Sequence, residues 1–369
     1  MLDDKLAEVS QSLYRHLLEA HWNGESLTGP DPGIRFNARI GRFVKNYVPW
    51  LPWRDQLVYQ QAQAYWVLAN WNLSGSGDGA YRDIAIQTTN RIARSQRDDG
   101  AWDYPNPEWA DRVATVEGCF AAIALLESYE MAARENWLES ALKWNSFIDA
   151  RIGYRSEGGV NYFAGREPAT RGGVPNNTTL VLWMLARLAA VTGDDSMLGR
   201  APRLVGWLAA SQATTGELPY RIGPDGQVDQ HFLCYNYNAF QLIDLAHYTR
   251  LTGDESALPM MAGLAEFLLS GIEDDGSIRY DCAKKGPTVT YYATAVANAL
   301  GIATEMGLGR FDDSIDRVLG WVTERQLDSG PFVYSAGNYR FLSDSRSYPR
   351  YQTMILHHLL EELRRRNGG

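Results

Sequence analysis

Two kinds of hydrophobic pattern alternate along the chain. Residues 112–134 (RVATVEGCFAAIALLESYEMAAR), 176–195, 237–255 and 290–307 are apolar nearly all round. A helix without a polar face is one that other helices surround. Residues 136–150 (NWLESALKWNSFIDA), 197–212, 258–271 and 311–326 instead carry apolar residues on one stripe only. Such a helix faces solvent on its other side. Upstream, residues 53–73 and 81–96 repeat the same pair, and the N-terminal stretch 1–20 and the final stretch 351–366 supply one more. The pattern predicts about six buried inner helices and six amphipathic outer ones.

A turn element recurs between the pairs. In its fullest form it reads SQRDDGAWDYP, with Gln96, Gly100 and Trp102 in a Q-x3-G-x-W spacing. Weaker copies hold Gln212, Gly216 and Leu218, then Gln326, Gly330 and Phe332. With Gly159 and Gly276 the glycines step by 59, 57, 60 and 54 residues. A fixed period of this length is the signature of a repeat architecture. Glycine permits the turn, glutamine can bond loose helix-end backbone, and tryptophan fills the gap between hairpins. Asp98 and Asp99 therefore read as solvated turn residues, like Asp274, Asp275 and Asp328 in the other copies. The TGD segments at 192–194 and 252–254 stop one helix at glycine and cap the next with aspartate. The expected fold is an all-α (α/α)6 toroid in which residues 1–369 form one domain.

Such a ring has an asymmetric pair of rims. Every inner helix follows a long irregular segment, so the inner N-termini converge at one end with their unpaired N–H groups. A site is expected there. The residues arriving at that rim are aromatic, amide, acidic and basic. They include Trp53, Tyr59, Trp109, Asn176, Asn177, His231, Tyr235, Tyr237, Tyr291, Tyr292, Arg346 and Tyr348 as candidate substrate contacts. Asp111 and Asp344 each start an inner helix and are the candidate catalytic acids. A carboxyl buried among rings, or facing another carboxyl, can hold a proton at neutral pH. The competing reading of both is an N-cap.

Composition narrows the partners. A net charge of −9 argues against nucleic acid, and the one basic run, Arg364–Arg366, fits a helix C-terminus. Three widely spaced cysteines predict no disulfide framework and fit a reducing, cytoplasmic setting. His231, Cys234 and Cys282 with His357 or His358 are too loosely spaced for a zinc site, and no metal or cofactor is implied. Twelve Trp and twenty Tyr against eleven Phe suggest rings with polar handles around a cavity.

The complete Q-x3-G-x-W element at 96–102, on a ring of helical hairpins, resembles the QW repeats of class II terpene cyclases and related prenyltransferase-repeat proteins. With length for a single such domain, the chain is most similar to the single-domain meroterpenoid cyclases of the merosterolic acid synthase type. The family's DxDD motif is absent, so Asp111 and Asp344 rest on rim position alone. The resemblance implies protonation of an isoprenoid or meroterpenoid alkene or epoxide by a neutral carboxylic acid, without a cofactor. Ring closure would follow through carbocations held by aromatic faces. Such a substrate would favour peripheral membrane contact. The same rim chemistry suits a saccharide handled by a glycoside hydrolase, polysaccharide lyase or uronate epimerase, or a non-catalytic interaction ring.

Overall fold

The computed structural model describes residues 2–31, 56–75, 77–110, 112–155, 158–161, 163–164, 172–223, 225–229, 234–282, 288–339, 342–344 and 346–368. Twelve α-helices lie among them. The outer set is α1 (Leu2–Ala20), α3 (Gly79–Arg94), α5 (Glu135–Phe147), α7 (Ala201–Ser211), α9 (Leu258–Ser270) and α11 (Asp312–Thr323). The inner set is α2 (Gln60–Ser74), α4 (Thr115–Ala132), α6 (Pro175–Thr192), α8 (Cys234–Thr252), α10 (Thr290–Glu305) and α12 (Pro349–Arg366). Each inner helix packs on the next, and α12 packs on α2, so the ring closes. The expected (α/α)6 toroid is what forms.

The two patterns sort as their periodicity requires. In α10 every residue from Thr290 to Ala303 is buried. In α11 only a stripe is buried, led by Ile315, Val318, Leu319 and Val322, which recur at helical spacing. Inner helices approach the outer layer closely where a side chain is missing. A Cβ on Gly118 of α4 would lie 2.2 Å from the Trp144 ring of α5. One boundary differs from expectation: α2 begins at Gln60, with Tyr59 extended before it (φ −85°, ψ 130°), and not near residue 53.

The glycine turns are seals. Gln96 Nε2 donates to the Gly100 carbonyl (2.9 Å) and to the Ser140 carbonyl of α5 (2.8 Å). Gln212 does the same to Gly216 (2.7 Å) and Met260 of α9 (2.8 Å). Gln326 does it to Gly330 (2.7 Å) and to Val9 of α1 (2.8 Å). Each turn thus ties its own hairpin to the next outer helix, and the last copy ties the final hairpin to the first helix. Gly100 has φ +90°, and a Cβ there would stand 2.6 Å from the Lys143 carbonyl oxygen. Trp102 is buried and donates to the Ile92 carbonyl (2.9 Å). Asp99 accepts from the Ala101 N–H (3.2 Å) and pairs with Arg97 (2.5 Å), as a turn residue should.

Short antiparallel pairs decorate the long-segment rim. They are β1 (Val113–Ala114) with β2 (Phe163–Ala164), β3 (Arg221–Ile222) with β4 (Val228–Asp229), and β5 (Ser335–Tyr339) with β6 (Leu342–Asp344). The cysteine expectation is corrected here. Cys234, at the start of α8, forms a disulfide with Cys282, Cα to Cα 6.1 Å. The helical ring brings together two thiols that sequence spacing alone kept apart. Among the described residues no helix is long and apolar enough to cross a membrane.

Candidate active site

The helical segments that start at the two rims differ in how their backbone is satisfied. At the other rim, Asp194 accepts from the Ser196 N–H (3.0 Å) and Asp254 from the Ser256 N–H (2.9 Å). At the long-segment rim, α2, α4, α6, α10 and α12 start from extended residues that make no side-chain cap. Their first-turn N–H groups therefore face the ring's mouth with the positive ends of the dipoles.

A cavity of about 170 Å³ sits beneath that mouth. All six inner helices line it. Gln61 comes from α2, Glu117 and Phe120 from α4, and Asn176 and Asn177 from α6. Helix α8 adds Asn236, Tyr237, Phe240 and Asp244, α10 adds Tyr291, and α12 adds Arg350, Tyr351 and Met354. Tyr104 closes one side. A second, larger cavity of about 340 Å³ opens at the opposite rim. Its wall charges are matched in pairs: Arg187 with Glu127 (2.8 Å), Arg250 with Glu305 (2.6 Å) and Arg364 with Glu361 (2.7 Å). The first cavity is the one beneath the rim where a site is expected.

Glu117 is the foremost of them. It is 1% exposed among apolar neighbours on α4, and its Oε2 accepts the Gln61 N–H of α2 at 3.2 Å. Burial pushes its carboxyl up to about 7, against the opposing pull of Arg350 and of backbone N–H groups. It can therefore give or take a proton near neutral pH. Asp244, also buried, accepts from Thr179 Oγ1 (2.8 Å), and burial raises it well above the usual carboxylate range.

Arg350 is the cavity's cation. Its guanidinium lies 4.5 Å from the Tyr59 ring centre and 4.8 Å from that of Tyr351. It pairs with buried Asp31, Nε to Oδ2 3.2 Å, and its Nη2 donates to the Tyr351 hydroxyl (2.5 Å). Two acceptors in the wall, Asn177 Oδ1 and Asn236 Oδ1, are buried with no hydrogen-bond partner among the described residues. Such atoms are costly unless a ligand or water supplies a donor.

Of the residues expected at the mouth, Asn176, Asn177, Tyr237 and Tyr291 line the cavity, and Tyr59 lies behind it under Arg350. Tyr292 is buried beside Tyr291, stacked on Tyr280. Tyr348 is buried at the N-cap of α12 against Tyr334, and Arg346 lies 5.2 Å from its ring. Trp109 sits in a 3-10 turn, with Arg112 4.8 Å from its ring. Tyr235 turns outward, stacking on Phe267 of α9 at 4.8 Å. Trp53, Asp111 and His231 lie outside the described residues. Asp344 ends β6, and its side chain likewise lies outside the description. His357 and His358 stand against Tyr65 in the inner ring, not beside the Cys234–Cys282 pair.

Sequence reasoning assigned no role to Glu117, Asp244, Arg350 or Tyr351. A signal existed for the two acids: each is a carboxylate set among apolar neighbours on an inner helix, a costly placement without a role.

No protein-family model and no curated relative matches the sequence. Solved structures do. Cellobiose 2-epimerase from Bacillus thermoamylovorans superposes with a TM-score of 0.74 at 15% identity, covering 97% of this chain and 99% of its own. A possible GH105 member from Klebsiella pneumoniae gives 0.70 at 12% identity, with 98% and 93% covered. The GH76 alpha-mannanase of Bacteroides thetaiotaomicron gives 0.69 at 10% identity, with 98% and 96% covered. These carbohydrate-active enzymes, and not terpene cyclases, are the structural neighbours found. They overturn the expectation of acid-initiated isoprenoid cyclisation. The cavity gives the physical reason. A carbocation path needs a dry, apolar chamber, whereas this wall carries amides, carboxyls and a guanidinium. What the chain shares with these proteins at such low identity is the (α/α)6 toroid.

Proposed function

We propose that the protein is a carbohydrate-active enzyme that performs acid–base chemistry on one sugar residue held in the six-helix cavity. The observation that carries this reading is Glu117: a carboxyl poised near neutrality, inside a wall of amides and tyrosines. The neighbours named above support it, since all three act on or are classed with carbohydrates.

The cavity's size and charge refine the substrate. Its volume corresponds to about six waters, the scale of one sugar ring and not of a long chain. Arg350 is balanced by Asp31, and Glu117 and Asp244 are both biased toward their neutral forms. The pocket therefore favours an uncharged sugar over a uronate. Asn177 and Asn236 would accept hydroxyl protons, and Tyr237, Tyr291 and Tyr351 would offer apolar ring faces to the sugar's C–H groups. In this reading Glu117 transfers the proton, Arg350 steadies negative charge developing on a sugar oxygen, and Asp244 donates as a neutral acid.

A panel of neutral disaccharides and aryl glycosides, followed by product chromatography, tests this. The wild type should convert at least one, and Glu117→Gln should lose about 100-fold or more in kcat while remaining fully folded. Cleavage would identify a hydrolase and isomeric products an epimerase. Undiminished turnover by Glu117→Gln would remove the assignment.

A further inference from the structure

His16, His21 and Ser347 form a cluster that the proposed chemistry does not use. His21 Nε2 lies 2.8 Å and His16 Nε2 2.9 Å from the same Ser347 Oγ. His21 Nδ1 lies 3.0 Å from the Thr28 carbonyl oxygen. A carbonyl only accepts, so Nδ1 carries the His21 proton. Burial holds this imidazole neutral, down to about 4, so its Nε2 presents a lone pair. Ser347 has one proton to give and gives it to His21. From Ser347 through His21 to Thr28 the bonds therefore run one way.

Both segments joined by this chain lead directly to the cavity. Three residues beyond Thr28 stands Asp31, and three beyond Ser347 stands Arg350. Those two are the buried ion pair, at 3.2 Å. Between the ties the segments are in close contact: a Cβ on Gly29 would meet Pro349 Cδ at 2.8 Å and His21 Nδ1 at 2.9 Å. The 28–31 segment is also pinned to the start of the α2 hairpin by the paired bonds of Gly29 and Leu57 (2.9 and 3.2 Å). The imidazole thus fixes one end of a two-stranded clasp whose other end is the cation of the sugar pocket.

We propose that His21 and Ser347 are positioning residues that set the register of the Asp31 segment against α12 and so aim Arg350 into the cavity. The substrate half of this inference rests on the saccharide reading above, while the geometric half does not. Ser347→Ala removes the shared hydroxyl, and Ser347→Thr keeps it. The Arg350 Nε–H resonance, assigned with Arg350→Lys, reports the clasp without any substrate. Loss of one buried hydrogen bond of this kind corresponds to about tenfold. Ser347→Ala should speed hydrogen exchange at Arg350 Nε by about that factor, and Ser347→Thr should restore it. On whichever saccharide is turned over, KM should rise by about the same factor while kcat stays within roughly twofold. Unchanged Nε–H exchange in Ser347→Ala, or a threonine variant that behaves like alanine, overturns the clasp. If no saccharide is turned over, the exchange measurement alone decides.

Discussion

The carboxylate of Glu117 on α4 accepts the backbone N–H of Gln61 in the first turn of α2. One inner helix thereby satisfies part of the uncapped N-terminus of its neighbour. The same bond favours the charged carboxylate, yet burial outweighs it and leaves the group near neutrality.

That balance makes a stability prediction with a definite sign. The native state holds the Glu117 proton up to about 7, against an ordinary carboxyl value of 4.5. The native state thus binds this proton more tightly than the unfolded chain. The group's contribution is lost as pH rises from about 4.5 through about 7, and reaches roughly 3 kcal/mol by pH 8. Glu117→Gln, which cannot ionise, should exceed the wild type in denaturant midpoint at pH 8 and match it near pH 4.5. A variant no more stable than wild type at pH 8 would mean that Glu117 is ionised at little cost.

Histidines give the opposite slope on the acid side. His16, His21, His247, His357 and His358 are all held below their ordinary value by burial. Each takes up its proton more readily in the unfolded chain, so stability should fall as pH drops below about 6.5. For His21, down to about 4, the share is roughly 3 kcal/mol. Glu117 acts in the opposite direction over the same interval, so the check is a difference: from pH 7 to pH 5 wild type should lose about 2 kcal/mol relative to His21→Gln in chemical denaturation. An identical change in both proteins would show the His21 ring to be better solvated than its burial implies.

The three glutamine seals should not be equivalent. Gln326→Ala leaves the Gly330 and Val9 carbonyls without their bonds, costing about 1–3 kcal/mol. Gln96→Ala should cost a similar amount. Only the first breaks the joint between α11 and α1. Hydrogen exchange should therefore rise along α1 in Gln326→Ala and around α5 in Gln96→Ala. Exchange that rises uniformly in both would argue against local seals.

The ring was legible because its signals are repeated. Alternating all-apolar and striped helices, with a glycine turn about every 54 to 60 residues, admit few other packings. The mouth was also legible, since the segment lengths place it. The chemistry was not, for a reason visible in particular residues. Rim position read from the sequence favoured Asp111 and Asp344, whereas Asp344 ends a strand and the carboxyl in the first turn of α4 is Glu117. Arg350 follows the proline that opens α12, so it too resembled a helix-start residue. Its partner Asp31 is more than 300 residues away in sequence. The resemblance to cyclases came from the QW turn, whose glutamine proves to be a structural joint. A joint used to close a ring says nothing about what the ring holds.

Asp3 and Arg366 form an ion pair at 3.1 Å, so residues near the two ends of the sequence are spatial neighbours. Topologically the hairpins make a circle in which no member is first. A circular permutant, with residues 3 and 366 bridged by a short linker and the chain reopened at the exposed turn around Gly193, would inherit every inter-hairpin joint.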